Sequence, residues 1–431
     1  MSFTGSSTVL SEAQGMETGG LPEGADLKRF VQRRHATGRL WRAIFLASTM
    51  VGIVALSALL LNIVDGAFGW VAVRNRVQPE ALAIDGVPLP QLSAEQLVTV
   101  LQTHLSAAVV RRLDSEQPLA GRSRAELYPL VLDRVVNPEV LEAWTLSQSL
   151  FSRAEVEQVM ARDFPDARLV FRSWLNLNFL RSTQSSVPER AGVRTAVLGS
   201  LWIILITVAV AFPTGVGAAI YLEEYARDNW LNRVIQTNIS NLGGVPSIIY
   251  GLLGLAVFVR GLAPLTSGTL LGLSDPTTAN GRTILSAGLT LALLILPLII
   301  TNAQEAIRAV PRSLRYAGYS LGATKWQTIA AHVLPNALAG ILTGTILAMS
   351  RAIGETAPLV VVGATTFIAV DPSGPFSKFT ALPMQIYQWT ARPQDEFRRI
   401  AAAAILVLLV LLLTLNASAI LLRNRYSRRG Y

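Results

Sequence analysis

The chain of 431 residues contains no cysteine, three histidines and only three lysines. Without cysteine, disulfides, thiolate metal sites and a cysteine nucleophile are excluded. The histidines, His35, His104 and His332, lie far apart in the sequence and predict no metal centre. A nucleotide-binding P-loop needs a lysine directly after a glycine, and none of the three lysines follows one. We therefore expect a chain that holds no cofactor or metal and that hydrolyses no nucleotide itself.

Charged residues are also scarce. They make up 15% of the chain, whereas soluble proteins contain about 25%, and 51% of the residues are hydrophobic. Apolar runs of about 20 residues, long enough to span a bilayer, recur along the sequence. Five of them contain no charge: 44–64, 195–222, 234–259, 283–303 and 400–422. A sixth, 336–370, is interrupted only by Arg351 and Glu355. The predicted fold is an all-α polytopic membrane protein with six transmembrane helices.

The net charge of +9 is explained by membrane topology rather than by a nucleic-acid partner. If the N-terminus is inside, the inner segments contain sixteen lysines and arginines, and the two short outer loops contain six. Basic residues accumulate on the cytoplasmic side, so both termini are predicted to be cytoplasmic. No apolar run precedes residue 44, and the first span is therefore expected to be a retained anchor rather than a cleaved signal peptide.

These spans predict the organisation of the chain. The expected regions are a cytoplasmic tail at 1–43, with an aperiodic part at 1–27, a first transmembrane helix at 44–64, an extracytoplasmic insert at 65–193, a transmembrane domain at 194–425 with a cytoplasmic loop at 304–335, and a short tail at 426–431.

The insert at 65–193 is predicted to be helical. Ser93 and Gln96 form a capping-box pattern before an apolar periodic segment, and Ser152 and Glu155 repeat the pattern. The insert shows no histidine cluster, no glycine-rich phosphate loop and no isolated pair of carboxylates. We interpret it as a spacer or a partner-docking domain rather than as a ligand sensor.

Arg351 and Glu355 are the most informative residues of the apolar runs. A charged side chain in the middle of a bilayer costs about 2.5–3.5 kcal/mol on insertion scales. On a helix the two residues are four positions apart, so they share a face and can pair. One hypothesis is an anion pathway within the membrane, and the alternative is a structural ion pair that joins helices. The residues by themselves leave both open.

The loop at 304–335 is too polar for lipid and too regular for disorder. Its apolar spacing predicts two short helices broken at Gly322, with Leu314, Ala317 and Leu321 on the first and Ile329 and Val333 on the second. Exposed Trp326 would be unusual in a simple connector. We expect this loop to dock a partner, the alternative being an ordinary connection between two spans.

The same loop resembles the E-A-A-x3-G-x9-I-x-L-P signature of ABC importer permeases. Tyr316, Ala317 and Gly318 stand at the E-A-A positions, and Gly322 stands at the fixed glycine. His332 replaces the isoleucine, and Leu334 and Pro335 complete the pattern. Tyr316 also replaces the glutamate of the signature. The segments 347–359, 213–225 and 244–251 further resemble phosphate importer permeases of the PstA branch.

This resemblance implies the core of a type I ABC importer permease that translocates inorganic phosphate across the inner membrane by alternating access. It implies three kinds of protein partner: a second, PstC-like permease, two PstB-like ATPases that bind the ATP, and an extracytoplasmic PstS-like phosphate-binding protein. The implied substrate-pathway residues are Arg351, Glu355 and Thr356. The implied ATPase-coupling residues are Arg315, Tyr316, Ala317, Gly318, Gly322, Ala323, Lys325 and Trp326, with Arg315, Lys325 and Trp326 exposed to the partner.

Three other functions stay open on the sequence. A permease for sulfate, molybdate or phosphonate would use the same arginine chemistry. A secondary transporter or an anion channel would work without an ATPase, and it would need no docking loop. A membrane sensor with the insert as receptor would need a cytoplasmic output domain, and only a short tail follows Leu422.

Overall fold

The computed structural model describes residues 24–273, 281–365 and 367–427. Most of the predicted aperiodic tail at 1–27 and the end of the predicted tail at 426–431 lie outside these residues. The chain divides into two units, Met1–Asn62 and Ile63–Tyr431. The first unit contains most of helix α1, Ala25–Ala67, whose apolar part is exposed in the isolated chain. This helix begins well before residue 44, because the arginines, leucines and alanines of 27–43 favour helix and no proline interrupts them.

The insert combines short helices with three strands. Its elements are β1 Phe68–Asn75, α2 Ala94–His104, α3 Ala107–Glu116, α4 Arg124–Val131, β2 Pro138–Ala143, α5 Leu146–Phe151, α6 Arg153–Asp163, β3 Arg168–Ser173 and α7 Leu177–Arg181. A π turn at Leu132–Val136 and 3-10 turns at Pro79–Leu82, Leu89–Gln91, Leu119–Gly121 and Pro188–Arg190 connect them.

The antiparallel sheet, in the order β2-β1-β3, corrects the prediction of an entirely helical insert. Val71 in the central strand lies opposite Ala143 on one side and Val170 on the other. The valines, tryptophan and phenylalanine of β1 suit a half-buried strand. The sheet was missed because its strands are short and pair with segments distant in the sequence, which no local pattern reports.

The two predicted capping boxes differ in outcome. Ser93 caps α2 as predicted, since its hydroxyl accepts from the Gln96 amide and the Gln96 side chain accepts from the Ser93 amide. Ser152 precedes α6 but forms no side-chain cap. It is also the residue directly after the preceding helix α5, with φ −121° and ψ 33°, and its carbonyl oxygen accepts from the Glu155 amide instead.

The remaining elements form the transmembrane part of the chain. They are α8 Arg194–Ile220 with a π turn at Tyr221–Tyr225, α9 Trp230–Leu242, α10 Ser247–Gly254 with a π turn at Leu255–Gly261, α11 Ala263–Thr266, a 3-10 turn at Thr269–Leu271, α12 Ile284–Arg308, α13 Arg312–Ser320, α14 Lys325–Thr328 with a π turn at Ile329–Val333, α15 Leu334–Gly354, α16 Ala357–Val362, α17 Leu382–Thr390 and α18 Asp395–Ser427.

Among the described residues, six apolar helical segments are long enough to cross a membrane, if two helices joined at a bend count as one segment. Five are continuous: Leu27–Ala67, Arg194–Tyr225, Ile284–Arg308, Lys325–Gly354 and Asp395–Arg425. The sixth consists of two helices, Trp230–Leu242 and Ser247–Gly261, and the chain bends by 108° between them. The predicted polytopic fold is confirmed, and α12 lies in its core between α8 and α15.

The bend corrects the prediction of a straight span at 234–259. Pro246 lacks an amide hydrogen and disfavours helical geometry at Val245, so the helix cannot continue through it. The Tyr250 hydroxyl in α10 donates to the Leu242 carbonyl oxygen at 2.8 Å and ties the two arms together.

The run at 336–370 is also broken. Helix α15 ends at Gly354, and Glu355 has an extended backbone with φ −76° and ψ 124°. The ring of Pro358 would clash with the Gly354 carbonyl in a continuous helix, and the chain restarts as α16 with Ala357 and Pro358 in its first turn. Arg351 and Glu355 therefore flank the end of a helix rather than sharing one helical face.

Candidate functional site

Arg351 and Glu355 form an ion pair at the end of α15. The Arg351 Nε lies 3.4 Å from the Glu355 Oε1. The Arg351 side chain is 46% exposed in the isolated chain and that of Glu355 is 19% exposed. The predicted pairing is confirmed, although Glu355 reaches it from the extended turn after the helix. Its role in a substrate pathway stays a prediction.

The Arg351 guanidinium has hydrogen-bonding capacity to spare. Only its Nε donates to Glu355, and its two terminal nitrogens make no hydrogen bond to any residue that the structure describes. Arginine carries five N–H donors in a planar fork that matches two oxygens of a carboxylate or phosphate. Arg351 can therefore bind an oxyanion while it still contacts Glu355.

Two interrupted helices meet at this pair. Thr356 follows Glu355, is half-buried, and precedes α16. Helix α10, the second arm of the bent span, packs closely on α16, because a Cβ at Gly251 would lie 2.7 Å from the Pro358 Cα. Interrupted membrane helices are a common setting for substrate sites in transporters, and this placement fits the predicted pathway.

The predicted break at Gly322 is confirmed, and its geometry is a Schellman motif. The Ala323 amide donates to the Gly318 carbonyl at 3.1 Å, and the Gly322 amide donates to the Tyr319 carbonyl at 3.0 Å. Gly322 has φ +80°, a left-handed conformation that favours glycine. The closing turn ends α13 and lets the chain reverse.

The second short helix leads directly to Arg351. Thr324 and Gln327 form a capping box at the start of α14. From Lys325 the helix continues through a π turn into α15 as one segment that ends at Gly354. At 1.5 Å per residue, this segment separates Lys325 from Arg351 by about 40 Å. One helical element thus links the predicted coupling loop to the predicted pathway.

Residues 312–328, here called the docking segment, expose large hydrophobic side chains beside the basic residues Arg312 and Lys325. Tyr316 and Trp326 are exposed, and Leu321, predicted on the packed face of α13, is 88% exposed. Gly318 is buried, since a Cβ there would lie 2.8 Å from the Thr328 Oγ1. Ala317 is exposed and Ala323 is half-buried. Docking of an ATPase on this surface stays a prediction.

Arg315 corrects one prediction. It is not exposed to a partner, because its side chain is only 15% exposed and faces Glu224, which is 7% exposed. The Arg315 Nη2 and Nε donate to the Glu224 Oε1 at 2.8 and 3.0 Å. The guanidinium also donates to the carbonyl oxygens of Val310 at 2.7 Å and Ile307 at 2.9 Å. Glu224 lies 91 positions away in the sequence, so no local pattern indicated the pair.

The residues that hold the docking segment and the end of α12 in place were not identified from the sequence. They lie in the turn that follows α8. Glu223 contacts Arg308 of α12 at 2.5 Å, and Glu224 contacts Arg315 of α13. The next residue, Tyr225, has the Lys325 Nζ 5.0 Å from its ring centroid. Three consecutive residues therefore each hold a basic residue from a different helix. The available signal was two adjacent carboxylates directly after an apolar run.

The family of the chain follows from comparison with known proteins. Residues 211–429 match the sequence profile described as "Binding-protein-dependent transport system inner membrane component". The chain belongs to this family. This permease is 32% identical to "Phosphate transport system permease protein PstA 1" of Mycobacterium tuberculosis (strain ATCC 25618 / H37Rv), over 61% of the chain and 81% of that protein.

Other relatives agree. PstA of Yersinia pestis is 32% identical over 56% of this permease and 75% of the relative, and "Probable ABC transporter permease protein YqgI" of Bacillus subtilis (strain 168) is 29% identical over 57% and 83%. A MetNI methionine ABC transporter structure covers 54% of this permease and 95% of its own chain, at 15% identity and a TM-score of 0.41.

The predicted recognition as a PstA-type ABC importer permease is confirmed. This permease is a subunit of an inner-membrane transporter of the ABC family and is not the catalytic subunit. A permease of this kind works with an ATPase and with a substrate-binding protein, and the family description names the second of these.

Proposed function

We propose that this permease moves inorganic phosphate into the cell by alternating access. The observation that supports the proposal most directly is the Arg351 guanidinium, which has donors to spare at the break between α15 and α16. The PstA relatives supply the substrate class, since their names specify phosphate transport. Arginine by itself does not discriminate phosphate from sulfate or molybdate.

The two charges of the pair have distinct tasks in this proposal. The terminal nitrogens of Arg351 donate in parallel to two phosphate oxygens. Glu355 balances the arginine when no anion is present and repels a bound anion, which keeps the binding weak enough for release. The Thr356 hydroxyl, next to Glu355, is a further donor for the anion.

The proposed assembly completes the pathway with other chains. A PstC-like permease covers the half-exposed Arg351 from the other side, and a PstS-like protein delivers phosphate at the outer surface. Two PstB-like ATPases bind the ATP, and one of them docks on Tyr316, Leu321 and Trp326. Both termini of this chain lie in the cytoplasm, and the insert at 65–193 is an outer spacer or docking domain. ATP-driven movement of the docking segment reaches Arg351 along the continuous helix from Lys325.

The experiment measures uptake of radiolabelled phosphate by cells with the chain, without it, or with Arg351→Ala. We expect deletion and Arg351→Ala each to abolish ATP-dependent uptake at low external phosphate, while excess sulfate or molybdate leaves wild-type uptake unchanged. Co-purification of Arg351→Ala with its partner subunits is the control for insertion and assembly.

Two results would contradict the proposal. Normal uptake by assembled Arg351→Ala would exclude the pathway role of Arg351. Loss of sulfate or molybdate uptake on deletion, with phosphate uptake intact, would preserve the permease function and refute the substrate.

A further inference from the structure

The turn that follows α8 holds the docking segment through two contacts, a buried ion pair between Glu224 and Arg315 and the approach of the Lys325 Nζ to the Tyr225 ring. We propose that Glu224 is a positioning residue that, through Arg315, makes the docking segment and the end of α8 move as one body, so that ATP hydrolysis stays coupled to transport. The inference rests on the proposed docking of an ATPase on residues 312–328, and it holds for any substrate.

The first argument is the number of elements that Arg315 joins. Its side chain starts on α13, contacts Glu224 in the turn after α8, and donates to the carbonyl oxygens of Ile307 in the last turn of α12 and of Val310 just after that helix. Carbonyls at the end of a helix lack the regular intrahelical partner, which makes them acceptors for a side chain. One guanidinium therefore connects three helix ends through four hydrogen bonds.

The second argument is burial. Both side chains of the pair are largely shielded from water, so salt screens their attraction little and the loss of one partner leaves an uncompensated charge. The exposed surface of the docking segment includes Tyr316, Leu321 and Trp326, whereas the Arg315 side chain faces Glu224. A partner that presses on the docking segment meets Tyr316, whose neighbour in the sequence is Arg315.

The third argument is the adjoining geometry. A pocket of about 270 Å³ is lined by both ion pairs, Glu224 with Arg315 and Glu223 with Arg308, and by Arg312, Tyr316 and Tyr319 of the docking segment. A force on the docking surface thus acts directly beside the ion pair. The end of α8 at Tyr221–Tyr225 is a π turn, and such turns frequently occur at functional sites within helices.

The neighbouring pair of Glu223 and Arg308 supplies a matched control. Arg308 is 67% exposed, and Glu223 also accepts a hydrogen bond from Gln304 of α12 at 3.2 Å. Gln304 in turn exchanges hydrogen bonds with Gln236 of α9. Glu223 therefore joins α8 to α12, and through Gln304 to α9, and among the described residues it forms no hydrogen bond or ion pair with the docking segment. A role confined to local stability predicts lower yields of assembled transporter, with an unchanged transport-to-ATP ratio per assembled complex, at both glutamates.

The test uses the complete transporter, with its ATPases and partner permease, in proteoliposomes with loaded binding protein. The readouts are phosphate transported per ATP hydrolysed, and the stimulation of ATP hydrolysis by the binding protein. Glu224→Gln keeps the size and one acceptor but removes the charge. We expect the transport-to-ATP ratio to fall at least tenfold, with hydrolysis continuing and becoming independent of the binding protein.

Four further variants complete the design. Arg315→Gln should reproduce the loss, and the double variant Glu224→Gln with Arg315→Gln should be no worse than either single one. Arg315→Lys keeps the charge but loses the fork, and we expect an intermediate ratio. Glu223→Gln should change the ratio by less than threefold.

Both readouts are taken per assembled complex, so a lower yield does not imitate uncoupling. A wild-type ratio in assembled Glu224→Gln would overturn the proposal, and so would equal effects of Glu224→Gln and Glu223→Gln. If Glu224→Gln does not assemble, a wild-type ratio for Arg315→Lys would overturn it. If vesicles with the wild-type transporter import no phosphate, the proposed substrate is wrong. The stimulation of ATP hydrolysis by the binding protein would then still decide the role of Glu224.

Discussion

Two arginine–glutamate pairs of this chain use the same chemical groups in opposite ways. Arg315 is shielded from water, and its fork is occupied by Glu224 and by two backbone carbonyl oxygens. Arg351 is half-exposed and contacts Glu355 through a single nitrogen at 3.4 Å. In this chain, an arginine with all three nitrogens engaged joins helices, whereas one whose terminal nitrogens form no hydrogen bond among the described residues is available to an anion.

The largest expected effect on stability separates the two pairs. Glu224→Ala leaves Arg315 charged without its partner, and breaking a buried pair in this way costs about 3–5 kcal/mol. Glu355→Gln acts on a pair whose arginine is half-exposed, and we expect a cost of less than about 1 kcal/mol. Thermal unfolding of the two purified variants in the same detergent measures both. Equal losses would remove the distinction between the pairs.

The next largest expected effect is on phosphate uptake, and it depends on the planar fork of the Arg351 guanidinium. Arg351→Lys keeps the charge but loses the bidentate fork, and we expect phosphate uptake to fall about tenfold, equivalent to about 1.4 kcal/mol. Stability should stay at the wild-type value, since Arg351 holds no other helix. Initial uptake rates over a range of phosphate concentrations measure this decrease. An unchanged rate would mean that a point charge suffices and that the fork has no role.

A smaller effect tests whether the docking segment depends on its turn as well as on its buried pair. Gly322→Ala places a side chain at φ +80°, which costs about 1 kcal/mol. A Cβ there would meet no atom within 4 Å, so the penalty is conformational only. Gly322→Asn should be milder, because asparagine tolerates this conformation. Unfolding of both variants, together with co-purification of the ATPase, checks the expectation; identical behaviour of the two would contradict the conformational cause.

The smallest effect concerns Glu142, a partly buried carboxylate of the insert whose charged neighbours are Asp395, Glu396 and Arg399. Burial, and then the neighbouring Asp395 and Glu396, raise the pKa of Glu142 in β2. A raised pKa in the folded state means stability that is present below the unfolded pKa and is lost as pH rises through the folded one. We therefore expect β2 amides to exchange hydrogen more readily at pH 7 than at pH 4, after correction for intrinsic exchange rates.

Glu142→Gln supplies the control for this pH dependence. The variant keeps the size of the side chain and removes the titrating group, so the difference in protection between the two pH values should shrink. Hydrogen exchange measured by mass spectrometry on the complete chain reports the β2 peptide directly. An undiminished pH dependence in Glu142→Gln would assign the effect to another group.

Much of the fold was predictable because membrane spans are local features. Apolar length alone located every span, and Gly322 marked the break between the short helices of the docking segment. The helix breaks were not predicted, although two prolines indicate them. Pro246 and Pro358 each interrupt the helix inside a run that is continuously hydrophobic. The sheet of the insert was not predictable, because its pairing joins segments that are distant in the sequence.

The residues of the candidate site also differ in whether the sequence alone could identify them. Arg351 and Glu355 were recognisable by their charge within an apolar run, since such charges are costly in lipid. Glu224 was not, because a carboxylate after a membrane span has the same local pattern whether it faces water or another helix. The direction of Arg315, exposed or buried, depended entirely on that distant partner.

By itself, then, the sequence determined the membrane class, the number of spans, the two short helices of the docking segment and the arginine at the predicted pathway. These features depend on the hydrophobicity and backbone preferences of neighbouring residues. Only the tertiary structure decided which arginine is engaged and which has donors to spare. Hydrogen bonds are directional and short, and their partners here are brought together by packing of helices that the sequence separates.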